Sequence, residues 1–372
     1  MFGSKPKKIK KKKILFMAAV GAYNLGDELI LKLEVQFIQK HYGENISITV
    51  FTYDPASTLI LDPSISYVSY FPNDIRHHFF RNVGYLFHNI YLIARADVLI
   101  VGGGGIIFDN EPGVSVGWLF AQWSMRIVTA RMFHTILLFW GIGLELTDIT
   151  NRMRLKGLFV SGDLLLVRDS QSKGLLDALE IPSIQVPDIV YLYDVPELAK
   201  PISPVKLVGI SIRGGFLGYR DVVIPDIYDH LVALGYKPIF LVFSTSGDEE
   251  QNDIAYIRKV MLGRTYNVTK NITQTLDMIP FLYAMIGMRL HAGILACVHE
   301  IPYLPISYGP KTNDLISTLG IEHLALIAKS MTIDGFDSNW ESLVTNYVSE
   351  QANMRDKHIS IREQLLKNLR NI

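Results

Sequence analysis

Two rhythms of apolar and polar residues alternate along the chain. Short, mainly apolar runs recur at residues 14–20, 46–52, 98–101, 135–139 and 164–167. Runs of this length without polar alternation suit strands buried on both faces of a sheet. Helical stretches separate most of them, as at 28–41. This alternation predicts a mainly parallel, doubly wound sheet. Residues 187–204 are rich in proline and lack a helical period, so they read as a linker. The pattern then restarts, with strands expected at 208–212, 239–243, 284–287 and 304–307 and a helix at 226–234. Residues 339–372 alternate charge with Leu, Ile and Val and are expected to be helical, packing back across the domains. The predicted organisation is a basic tail (1–13), an N-terminal α/β domain (14–190), a C-terminal α/β domain (205–335) and C-terminal helices (336–372).

At 372 residues the chain is long enough for two substantial cores. Its 36 basic and 36 acidic residues balance, which gives no nucleic-acid signature. No apolar run reaches the roughly 18 residues that span a bilayer, and no signal-peptide pattern follows the basic start. Cys297 is the only cysteine, so no disulfide can form within the chain. It lies in an apolar run and reads as a core residue. A cytoplasmic location fits best. The exception to charge balance is the N-terminus, where Lys5, Lys7, Lys8 and Lys10 to Lys13 cluster. That run is either a solvated tail or a tether at the inner face of a membrane bearing anionic lipid. Residues 71–91, rich in Phe, His and Arg, suit an acceptor loop or a membrane-facing patch.

Candidate chemistry collects where strands end. Arg289 and His291 follow the strand at 284–287, and Lys311 follows the strand at 304–307. Ligands of open α/β sheets bind at such strand C-termini. Arg offers a planar fork, Lys a point charge and His a proton near neutral pH, a set that suits a small, highly charged anion. Gly102 to Gly105 end an earlier strand and can bring backbone amides close to a ligand, with Gly103 and Gly104 at the centre. Asn24, Gly26, Asp27 and Glu28 link the first strand to its helix. Asp109 could take a sugar hydroxyl or cap a loop. Arg168 could clamp a donor or pair with an acid, and Arg213 is a second possible clamp. No His-Glu-x-x-His or Asp-x-Asp pair occurs, so no catalytic metal is implied.

In order, Asn24-Leu25-Gly26-Asp27-Glu28, the four glycines with Asp109, Val167-Arg168-Asp169-Ser170, Gly287-Met288-Arg289-Leu290-His291-Ala292 and Ser307-Tyr308-Gly309-Pro310-Lys311 resemble the polysaccharide pyruvyltransferase family. The resemblance runs from about residue 14 to about residue 320. It implies two Rossmann-like domains facing a cleft, a GT-B-like architecture. It also implies transfer of the enolpyruvyl unit of phosphoenolpyruvate to a sugar of a polysaccharide or lipid-linked glycan, forming a pyruvate ketal and releasing phosphate without a cofactor. On that reading Arg168, Arg289, Lys311, Gly103 and Gly104 bind the donor. Asn24 and Asp109 bind the acceptor, and His291 and Asp27 carry acid–base work. The rival readings are a GT-B glycosyltransferase using a nucleotide sugar, for which Asp314 is the nearest ribose-gripping acid, and a non-catalytic scaffold of a glycan-assembly complex.

Overall fold

A computed structural model describes residues 11–43, 45–52, 54, 64–69, 79–109, 116–159, 163–196, 205–245 and 251–370. The lysines up to Lys10, much of the 71–91 stretch and half of the expected linker lie outside the described residues. The chain divides into two compact units, one of residues 1–21, 30–168 and 172–185, the other of 22–29, 169–171 and 186–372. The short segments 22–29 and 169–171, expected in the first domain, thus group with the second.

In chain order the first half carries β1 (Lys12–Met17), α1 (Leu25–Tyr42), β2 (Ile46–Thr52), β3 (Ile65–Ser69), α2 (Phe79–Arg95), β4 (Val98–Val101) and β5 (Gly104–Phe108). It continues with α3 (Val116–Met132), β6 (Ile136–Glu145), α4 (Ile149–Leu158), β7 (Leu164–Val167), α5 (Ser170–Ala178) and β8 (Ile184–Gln185). The strands form one parallel sheet in the order β3-β2-β1-β4-β6-β7-β8, with β5 beside β6. Ile14 on β1 sits in register with Ile48 and Val98 on one face, and Met17 with Phe51 and Val101 on the other, so apolar side chains line both faces. Strand β1 stops at Met17, short of the expected 14–20. The chain turns through Gly21, whose φ of +78° favours glycine and where a Cβ would lie 2.2 Å from Thr52 Oγ1. Strand β6 runs six residues beyond the expected 135–139, and its register shifts around Gly141.

The second half carries β9 (Leu207–Ser211), α6 (Val223–Ala233), β10 (Lys237–Phe240), α7 (Asp253–Val260), α8 (Ile272–Met278), β11 (Ala284–Gly287) and α9 (Leu290–Val298). It ends with β12 (Tyr303–Ser307), α10 (Pro310–Leu319), β13 (Leu326–Ile327), α11 (Ile333–Thr345) and α12 (Tyr347–Leu369). Its five strands are parallel in the order β10-β9-β11-β12-β13. Strand β10 ends at Phe240, not at the expected 243. Beyond it, side chains take over from the ladder: Thr269 and Thr275 accept from Val242 N–H, and Asp253 accepts from Phe243 and Ser244. Helix α12 packs on α9, α10 and α11 and on the 3-10 turn at Ile189–Leu192. His358 Nε2 donates to Tyr191 O at 3.1 Å, and Arg362 pairs with Asp194. Among the described residues no helix is long and apolar enough to cross a membrane.

Candidate active site

Strands β9, β11 and β12 are neighbours and parallel, so the loops after them leave one edge of the second sheet. Gly287 closes β11. Tyr303 Oη donates to its carbonyl at 2.7 Å, and a Cβ there would crowd that ring. Arg289 then leaves in an extended conformation as the N-cap of α9. Its Nη2 pairs with Asp253 and donates to Gln251 O at 3.0 Å. Asp253 is wholly buried and also accepts two backbone N–H groups. Burial pushes its carboxyl above the usual range, opposed by the Arg289 guanidinium and the accepted bonds. Among the described residues Arg289 Nε has no acceptor, so the fork is only partly used by the protein.

His291 is the second residue of α9 and is buried. Its ring lies against Gly26, where a Cβ would come within 1.9 Å of Nδ1. Only glycine fits there, which ties the first glycine motif to the Arg-Leu-His motif in space. Main-chain bonds hold the contact: Leu25 N–H donates to Phe243 O at 2.8 Å and Thr245 N–H to Tyr23 O at 3.0 Å. Asn24 Oδ1 accepts from Gly26 N–H at 3.1 Å, so that side chain shapes the turn. Asp27 follows, half-buried in the first turn of α1. Behind the imidazole, His291 Nε2 stands 3.5 Å from Asp188 Oδ2, with both side chains buried. The other oxygen, Asp188 Oδ1, caps the next turn by accepting from Val190 N–H at 3.0 Å. Sequence reading missed Asp188, because its Val-Pro-Asp setting looks like linker. It missed Asp253 as well.

Lys311 is the second residue of α10, partly exposed beside Gly309 and Pro310. The β9 loop adds Arg213, whose guanidinium lies 4.9 Å over Phe216, and the Phe216 ring in turn lies tilted against Tyr308, with centroids 4.3 Å apart. Arg213, Arg289 and Lys311 therefore issue from three adjacent strand ends. Asp314 accepts from Ser170 N–H at 3.2 Å and from Ser170 Oγ–H at 2.5 Å.

The remaining candidates belong to the first unit, and two are occupied otherwise than the sequence suggests. Gly103 N–H donates to Glu34 Oε1 at 3.0 Å, and Glu34 is fully buried. A carboxylate thus sits where the glycine amides were expected to cradle an anion, and an anion there would meet like charge. Gly104 is not loop but the first residue of β5. Asp109 spends its oxygens on the loop after β6, accepting from Thr147 N–H and Oγ–H, Asp148 N–H and Asn151 Nδ2. Burial alone would raise its carboxyl, but these four donors hold it below the usual range. It is a structural acceptor in this conformation, not an open sugar ligand. Arg168 follows β7, with its Nε 3.1 Å from where a Cβ of Gly143 would stand. Among the described residues no three His, Cys, Asp or Glu side chains gather in a way that could hold a metal ion.

Two parallel α/β units with a C-terminal helical segment define the GT-B-like class. Solved structures with this fold include a glycosyltransferase from Rickettsia africae (TM-score 0.62, 11% identity, 97% of each chain covered). Anabaena HepE in complex with UDP-glucose is similar (0.59, 12%, covering 97% of this chain and all of that one), as is the UDP-GlcNAc 2-epimerase of Neisseria meningitidis bound to UDP-GlcNAc (0.58, 12%, 96% and 100%). No curated protein sequence matches. The model of the polysaccharide pyruvyl transferase family matches residues 24–310, and the chain belongs to that family.

Proposed function

We propose that the protein moves the enolpyruvyl unit of phosphoenolpyruvate onto a sugar of a polysaccharide or lipid-linked glycan, closing a pyruvate ketal and releasing phosphate. The observation that carries this reading is the seating of the His291 ring on Gly26, with Asp188 behind it and Arg289 at the start of the same helix. The donor carries a carboxylate and a phosphate. Arg289 and Lys311 supply the matching charge. His291 delivers a proton to the donor methylene, which makes the second carbon electrophilic. One sugar hydroxyl attacks that carbon, phosphate departs, and a second hydroxyl closes the ketal. Asp188 faces the imidazole from behind, its Oδ2 3.5 Å from Nε2. Asp27, next to Gly26, is the base for an acceptor hydroxyl. None of these steps calls on a metal or organic cofactor.

The engagement of Asp314 by Ser170 speaks against the nucleotide-sugar alternative, since gripping a ribose would cost both of those bonds. The test is incubation with phosphoenolpyruvate and a panel of free and lipid-diphosphate glycans, following phosphate release and the mass of the glycan. A gain of one pyruvate ketal is expected. In the same assay His291→Gln keeps donor affinity within a few-fold and lowers turnover by about 10²-fold or more. Tight UDP-sugar binding with no phosphoenolpyruvate turnover overturns the proposal.

A further inference from the structure

Helices α2, α3 and α4 of the first unit are neighbours, α2 packing on α3 and α3 on α4. No aspartate or glutamate occurs in any of the three. They do carry cations. Arg95 is exposed on α2, while Arg152, Arg154 and Lys156 stand on α4. Of the acids that border them, Asp163 pairs with Arg131, Asp97 accepts from Lys13 N–H, Asp148 caps α4, and Glu180 takes up Lys156, which leaves Arg95, Arg152 and Arg154 as the cations of this face. His88 on α2 and His134 just after α3 are exposed as well.

The same helices leave large apolar side chains in solvent. Phe87 is 65% exposed and Tyr91 53% on α2, Val128 and Met132 are 50% and 71% exposed on α3, and Ile149 and Met153 are 67% and 57% exposed on α4. Each pair is spaced i, i+4, so each helix presents a stripe. Single exposed apolar residues are ordinary, but stripes on three adjoining helices are not. On α2 the stripe ends in Arg95, which donates to Tyr91 Oη at 3.1 Å and lies 5.3 Å over that ring. This is the arrangement of an aromatic body with a cation at its wet end, as found at bilayer surfaces. Between α3 and α4, Gly117, Ala121, Ser124 and Gly157 leave a cavity of about 470 Å³ with Arg154 on its wall.

We propose that this face docks the protein on an anionic lipid bilayer. Apolar stripes enter the boundary between headgroups and acyl chains, and the arginines meet lipid phosphates. Charge selects the occupant. A second copy meeting this face about a two-fold axis would set cations against cations, whereas an anionic membrane complements both the charge and the apolar stripes. The inference is independent of the reaction proposed above. It would bring a lipid-linked acceptor and the enzyme to one surface.

The test uses the full chain and vesicles of phosphatidylglycerol with phosphatidylcholine, against phosphatidylcholine alone, in a flotation assay. Binding is expected only to the anionic vesicles. The pair Phe87→Ser with Met132→Ser and the pair Arg95→Glu with Arg154→Glu should each lower partitioning by about tenfold or more. All four side chains belong to the exposed helix faces, so melting temperature should hold in both variants. Failure of the native chain to bind overturns the proposal. Salt-sensitive binding that both variants retain also overturns it and assigns adsorption to the N-terminal lysines. Self-association of the native chain that the serine variant abolishes overturns it in favour of a second copy.

Discussion

Arg289 illustrates how one side chain can serve stability and binding together. Its guanidinium answers the buried Asp253 carboxylate, so Arg289→Ala should cost about 3–5 kcal/mol by stranding that charge. Asp253 is already raised above the ordinary carboxylate range by burial, and removing the arginine raises it further. With the folded-state value above the unfolded one, the native form is favoured by protonation. The penalty therefore grows as pH rises through the folded-state value and shrinks in acid. Urea unfolding of the variant should show a larger loss at pH 8 than at pH 5, and Arg289→Ala with Asp253→Asn should recover part of it. A loss independent of pH and unrelieved in the double variant would remove the ion pair from the account. Weak donor binding by Arg289→Ala alone is thus ambiguous, and Arg289→Lys, which keeps the charge, is the cleaner probe. Cys297 is simpler. Burial pushes its thiol up to about 12 and Sγ donates to Met354 O, so alkylation of the native protein at pH 8 should be very slow beside that of the unfolded chain.

At the scale of elements, two loops are built by polar side chains in ways that a helix-and-strand pattern does not reveal. The turn into α1 leaves no room for a side chain at Gly26. Gly26→Ala must displace the His291 ring or the loop, at about 1–3 kcal/mol. Turnover should fall more than stability alone explains, while Gly84→Ala, in open space on α2, should leave turnover intact. Asp109 gathers the loop between β6 and α4 through four accepted bonds. Asp109→Ala should lower stability by about 1 kcal/mol, given the solvent at this site. Its folded-state carboxyl is depressed, so its contribution is full above the unfolded value and is lost as pH falls through the folded one. The gap between native and variant should close in acid, and acceptor KM should not move. A raised KM with unchanged melting would restore Asp109 as an acceptor ligand.

For the whole molecule, α12 runs along the second unit and closes its core through Met354, Ile361, Leu365 and Leu369. His358 ties it to Tyr191 O. Burial is the main reason that this imidazole is held below its ordinary value, with Arg362 adding to the effect against the Tyr191 bond. A depressed folded value means that stability is full above the unfolded pKa and declines as pH drops below it. Thermal melts at pH 7.5 and 5.5 should show a decline that His358→Gln reduces. An equal decline in the variant would place the acid sensitivity elsewhere.

What the sequence determined by itself is what local pattern can carry: two parallel α/β units, helices at the C-terminus, the strand ends that bear Arg289, His291 and Lys311, and the family. Apolar periodicity and glycine placement are properties of neighbours along the chain, so they survive without coordinates. Partners are not. The sheet order β10-β9-β11-β12-β13 decides which loops share an edge, and only then do Gly26 and His291, or Asp188 and His291, become neighbours. The glycine run shows the converse. Its sequence suits an anion cradle, but α1 turns the buried Glu34 onto the Gly103 amide and takes that donor first. A close packing distance or a buried charge pair depends on residues far apart in the chain, and tertiary structure alone brings them within reach.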